Sequence, residues 1–159
     1  MKIHHPRPSA LLRASLALAL VLSSAAAWAQ EQGGQFVTRG GITVHYAAIN
    51  TTDVPAATAT ALGITRSASQ AILVLNGQRP GDDGALQSIP LQAEGSIENL
   101  VGQAKAFAPR TVQEADTWYL IAPFRIADGE QLRFDLQVRA EGAQSTIPVR
   151  FQQAFYRPR

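Results

Sequence analysis

Residues 131–156 read QLRFDLQVRAEGAQSTIPVRFQQAFY, and the alternation within them decides the fold. Leu132, Phe134, Leu136 and Val138 alternate with Arg133, Asp135, Gln137 and Arg139. A strand sends successive side chains to opposite faces, so this order puts the apolar set inward and the polar set outward. A helix would scatter the same residues around its circumference. In the second half, Ile147, Val149 and Phe151 face one way and Pro148, Arg150 and Gln152 the other. Residues 140–146 (AEGAQST) between them have turn composition. The stretch therefore predicts two half-buried strands. They either pair as an antiparallel hairpin or lie in different sheets of a sandwich. Pro148 has no N–H to give to a ladder, which places it at an edge or at a strand start. Each buried apolar side chain contributes about 1.5–3 kcal/mol. A lone hairpin cannot shelter that many, so a second layer must cover this face.

The chain upstream supplies that layer. Ile42, Val44, Tyr46 and Ala48 alternate with Thr43, His45 and Ala47, and Phe36-Val37 opens a shorter strand before a turn or bulge at Gly40-Gly41. The continuous run AILVL at 71–75 reads as a central strand buried on both faces. Asn76-Gly77 and RPGDDG at 79–84 read as a turn-rich loop. Residues 86–93 and 98–107 read as further strands, the second bending at Gly102, and WYLIAPF at 118–124 is the most aromatic strand. Asp128-Gly129 between apolar runs predicts a hairpin into the first anchoring strand. One short helix is predicted near 55–62, with Pro55 in its first turn, Gly63 after its end, and Asn50, Thr51, Thr52 and Asp53 offering caps. Its small side chains and two threonines make it weak alone, so packing must hold it. Seven to eight strands with one short helix predict an all-β fold, an antiparallel β-sandwich.

Residues 1–29 have the form of a secretory signal peptide. Lys2, Arg7 and Arg13 make a basic start, ASLALALVL at 14–22 is the apolar core, and Ala27-Trp28-Ala29 is an A-x-A cleavage site. That core is short of the roughly 20 apolar residues a bilayer crossing takes. The expectation is a periplasmic chain cleaved after Ala29, a single sandwich domain over 30–159, and no stable membrane anchor after cleavage. With no Cys in the chain, a lipoprotein anchor, disulfides, thiol chemistry and Fe–S chemistry are all excluded. The 14 Lys and Arg outnumber the 12 Asp and Glu only because three of the basic residues lie in the leader. The remaining domain is close to neutral, which removes the main support for nucleic-acid binding.

After the leader, which takes His4 and His5 with it, His45 is the only histidine. A zinc or copper site draws on several His or Cys ligands, so no metal is expected. His45 lies on the polar face of its strand, where a solvated or cross-strand hydrogen-bonded histidine is the simpler reading. Serine hydrolase chemistry needs a serine, a histidine and an orienting carboxylate. The chain has no G-x-S-x-G elbow, and only His45 could serve as base. Asp82-Asp83 lacks the EF-hand spacing for calcium and reads as turn acids. Arg133, Asp135 and Arg139, joined by Arg150 if the last two strands pair, form a charged stripe. It could meet an anionic partner, but an ion-paired, solvated face is the simpler reading. The aromatics Tyr46, Trp118, Tyr119, Phe155 and Tyr156 could line a pocket, though in a sandwich of this size they more often fill the core.

Several stretches taken together resemble the secreted proteins of Gram-negative bacteria grouped as domain of unknown function 4426. They are Val44-His45-Tyr46; the Pro55 helix ending at Gly63-Ile64 with Arg66-Ser67; Asn99-Leu100 with Gly102-Gln103; and Tyr119-Leu120-Ile121-Ala122. The match continues through 132–138 (LRFDLQV) and from Val149-Arg150-Phe151 to Phe155-Tyr156. The resemblance implies a periplasmic, immunoglobulin-like β-sandwich and supplies no activity and no catalytic residues. Where the family often has a longer side chain after His-Tyr, this chain has Ala47 and Ala48, which weakens the case for a fixed polar site there. The functional expectation is a non-enzymatic module without a cofactor that binds a protein partner or a cell-envelope component. Its candidate binding residues are His45, Tyr46, Arg66, Arg133, Asp135 and Arg150. The alternatives are a small-molecule binder or hydrolase using a pocket between the sheets near His45, and an assembly chaperone that donates an edge strand.

Overall fold

The computed structural model describes residues 35–158. The leader expected over 1–29 lies outside the described residues. Among the described residues nine strands and one helix follow in the order β1 (Gln35–Arg39), β2 (Ile42–Asn50), α1 (Ala56–Ala61), β3 (Gln70–Pro80), β4 (Leu86–Ile89), β5 (Leu91–Asn99), β6 (Arg110–Glu114), β7 (Thr117–Arg125), β8 (Glu130–Ala140) and β9 (Ile147–Phe155). They form two antiparallel sheets. The first runs β1-β2-β3-β7-β6, with β4 paired to the far end of β3, and the second runs β5-β8-β9. This is an all-β sandwich.

Of the two arrangements the alternation allows, the anchoring strands adopt the antiparallel hairpin, in the register Phe134↔Phe151, Asp135↔Arg150 and Leu136↔Val149. Leu132, Phe134, Leu136, Val138, Ile147 and Val149 are buried, and Pro148 sits at the start of an edge strand. The covering layer is the first sheet, which sends Val44, Leu73, Leu75, Leu120 and Phe124 into the same core. Phe134 is at its centre, stacked on Phe151 with ring centroids 4.2 Å apart and edge-on to Phe124 at 5.6 Å. Such pairs add about 0.5–1.5 kcal/mol beyond the area they bury.

Helix α1 covers the opposite face of the first sheet. Val54, Ala59 and Leu62 pack on Ile72 and Ile121, with Val74, Val112 and Tyr119 at the margin. The run at 71–75 is continuous because Ala71, Leu73 and Leu75 face the sandwich while Ile72 and Val74 face the helix. Gly63 (φ 62°) ends α1 in a Schellman motif, with Ile64 N–H bonded to Ala59 O at 2.7 Å and Gly63 N–H to Thr60 O at 3.2 Å. Pro55 is the residue before the helix, and no side chain caps that end. Of the expected cap residues, Thr51 is used elsewhere. The hydroxyl of fully buried Thr51 lies 3.0 Å from Ser67 O and 3.1 Å from Gln70 O, and accepts from Ser67 N–H at 2.9 Å. It staples the loop before α1 to the loop after it.

The chain departs from its predicted segmentation in five places. Asn76-Gly77 is not a turn but the interior of β3, where Gly77 lets the buried Leu91 side chain pack close to the strand: a Cβ there would meet Leu91 Cδ2 at 2.6 Å. Residues 86–93 are not one strand. Pro90 divides them between β4 of the first sheet and β5 of the second. Residues 98–107 are mostly loop, because Asn99 Oδ1 accepts from Val101 N–H at 3.2 Å and Gln103 N–H at 2.9 Å and so folds the chain back on itself. Asp128-Gly129 does turn the chain, but β7 and β8 belong to different sheets, so it forms a crossing and not a hairpin. β6 (RTVQE) adds a strand whose single apolar residue, Val112, gives no alternation to detect.

Candidate functional site

The candidate residues fall in three separate places. His45 is on the outer face of the first sheet, opposite Phe36 on β1 and Asn76 on β3. The exposed Phe36 ring tilts over the imidazole with centroids 5.8 Å apart, and Ala47 and Ile49 continue an exposed apolar strip along β2. Tyr46, one residue on, points the other way and packs its ring against Phe151 at 4.9 Å. His45 and Tyr46 are therefore back to back. A pocket between the sheets that uses both is not formed, because that space is filled by Tyr46, Phe151 and Phe134.

The polar groups next to His45 hold strands together. Asn76 Nδ2 donates to Ser88 Oγ at 3.1 Å and to Trp118 O at 2.9 Å, and Ser88 Oγ accepts from Trp118 N–H at 2.8 Å. They join β4 and β7 at the point where β3 changes partner from one to the other.

Arg66 also acts structurally. Its Nη2 donates to Thr52 O at 2.6 Å, bracing the same loop pair that Thr51 staples.

Arg133, Asp135 and Arg150 do come together, on the outer face of the second sheet around a shallow cavity of about 330 Å³. Arg150 Nε donates to Asp135 Oδ1 at 3.0 Å, Arg133 lies 4.0 Å from Glu98, and Arg139 Nη2 reaches Gln92 Oε1 at 3.4 Å. The Arg150–Asp135 pair is more than half exposed on both sides, so water screens it and it contributes about 0.2–1 kcal/mol. Arg133, Arg139 and Arg150 share this face with Glu94, Glu98 and Asp135, so it carries no net charge. Such a balanced face has no large single-sign field to steer an anion from a distance.

One site escapes sequence reasoning. At the end of the first sheet nearest Gln70, two cavities of about 210 and 450 Å³ share Gln70 and Pro123 as a common floor. The first is walled by Gly63, Ile64, Thr65 and Arg110, the second by Ala104, Lys105, Ala106 and Arg125. Arg110 Nη2 donates to Leu62 O at 2.7 Å and Gly63 O at 2.9 Å, satisfying carbonyls at the end of α1. Lys105 Nζ is 2.6 Å from Glu130 Oε1, and both side chains are mostly buried (19% and 12% exposed). Burial alone would raise the Glu130 carboxyl pKa. The Lys105 ammonium, the Ala127 N–H and Asn99 outweigh it and hold the carboxyl below its ordinary range. The only trace of this site in the sequence is Lys105 itself, the one lysine after the leader.

Among the described residues no group of three or more His, Cys, Asp or Glu is placed to hold a metal ion, and no helix is long and apolar enough to cross a membrane.

The model of a family described as Domain of unknown function (DUF4426) matches residues 36–158. The fold is similar to the crystal structure of a DUF4426 family protein from Pseudomonas aeruginosa PAO1, at 26% sequence identity and a TM-score of 0.68, covering 80% of this chain and 98% of that one. No curated protein matches the chain.

Proposed function

The chain belongs to the DUF4426 family, and from that premise we propose that it is an exported, immunoglobulin-like module of the periplasm. In this reading it is non-enzymatic and docks a protein partner on the outer face of its first sheet. One observation carries the reading. Phe36 (62% exposed) and Ile49 (37% exposed) flank His45 and Ala47 on paired strands, beside the part of the sheet that α1 covers. An aromatic anchor with aliphatic neighbours on a rigid sheet has the composition of the core of a protein interface. His45 adds a polar group that can form a directed hydrogen bond at the rim. The charge-balanced outer face of the second sheet suits solvation better than capture.

The test places a photo-crosslinking amino acid at Ala47 in the full chain expressed in its own cells. Crosslinking to one protein, abolished by Phe36→Ser together with Ile49→Ser, is the expected result. Crosslinking that ignores both substitutions moves the interface elsewhere. A turnover activity that survives purification and disappears in His45→Ala would overturn the non-enzymatic reading. Export is checked by sequencing the N-terminus of the secreted chain, which should begin at Gln30.

A further inference from the structure

We propose that the groove over Gln70 and Pro123 is a second binding site, for a small organic anion bearing a carboxylate or phosphate. The proposal does not depend on the docking face.

The charge of the groove is one-sided. Arg110, Lys105 and Arg125 line its two parts, and no carboxylate lines either. Glu130 neutralises Lys105 from outside the lining, which leaves the two arginines as uncompensated charge. Arg125 makes no ion pair or side-chain hydrogen bond among the described residues, and Arg110 uses only Nη2 on the helix end. Both guanidinium groups therefore keep N–H donors for a ligand. A guanidinium presents them in a fork that matches carboxylate and phosphate oxygens.

Strand geometry brings the two arginines to one place. Arg110 pairs with Ile121 across β6 and β7, and Arg125 lies four residues further along β7. At about 3.3 Å per residue their backbones are separated by roughly 13 Å along the strand direction on the same face, with Pro123 midway. Gln70 and Thr65 add an amide and a hydroxyl, while Ile72 and Pro123 give an apolar floor. A few convergent polar groups over an apolar floor, at a volume of several hundred Å³, is the ordinary make-up of a small-ligand site. The contrast with the second sheet is informative, because there every arginine shares its face with an acid.

The experiment is an NMR titration of the full exported chain with inorganic phosphate and, separately, succinate, at constant ionic strength. Saturable shifts confined to the groove, at Thr65, Gln70, Ala104, Ala106, Arg110 and Arg125, are expected with at least one probe. Arg125→Gln should weaken that binding at least tenfold, and it leaves the fold intact because Arg125 holds nothing in place. Arg139→Gln, which removes the same charge from the other sheet, should leave it unchanged. Response to phosphate alone or to succinate alone supports the site and identifies its anionic group. Shifts that never saturate, or an equal loss in both variants, would overturn the proposal.

Discussion

The two sheets of this sandwich solve different packing problems. β8 and β9 in the second sheet have one dry face and one wet face, and their sequence alternates through 132–140 and 147–152. β3 in the first sheet is covered on both sides, by the sandwich core and by α1, and its sequence runs AILVL without alternation. The period of the pattern counts covered faces. A break in alternation within an all-β chain thus marks the place where a third layer sits.

Phe134→Ala removes a fully buried ring with three aromatic neighbours and should cost about 3–5 kcal/mol in urea unfolding. A loss below about 1 kcal/mol would mean that the inner face of the second sheet does not anchor the core. Ile121→Ala acts on the other covered face and should cost about 2–4 kcal/mol. Hydrogen exchange should then rise first in α1 and later in β8 and β9. Uniform loss of protection would show that the helix cluster is not a separable layer.

Between these extremes lies Glu130→Gln, expected to cost about 1–3 kcal/mol by leaving the mostly buried Lys105 ammonium without its partner. The sign of its pH dependence follows from the lowered carboxyl pKa. The contribution is fully present above the unfolded carboxyl value of about 4.3 and is lost as the pH falls through the lower folded value. Melting temperature against pH should therefore fall less steeply on the acid side in the variant. The smallest effect belongs to the wet face. Arg150→Gln should change stability by no more than about 1 kcal/mol, less in high salt. A loss above about 2 kcal/mol would show that this face is packed against something.

These contrasts also set what the sequence could reveal. Which side chains of β8 and β9 face inward, the burial of both faces at 71–75 and the helix ending at Gly63 were all legible, because each rests on local chemistry. His45 was correctly placed on an outer face by the parity of its neighbours. The partner change in β3 was not legible, because it depends on Asn76 meeting Ser88 and Trp118, which are 12 and 42 residues away. Nor was the cationic groove, whose walls come from a helix end, a loop and two strands. Nothing local in Arg110 or Arg125 distinguishes them from the ion-paired arginines of the second sheet.

Pro90 alone separates β4 in one sheet from β5 in the other, and Glu141 N–H fixes its carbonyl at 3.0 Å. The crossing from β7 to β8 is nearly as short, and Arg157 pins it through Ile126 O and Asp128. Sheets that meet only through side chains can slip along the plane of their contact. Here any slip pulls at once on covalent backbone at two points. The sandwich should behave mechanically as one stiff block that carries load in tension through its ties, leaving motion to the loops at its ends.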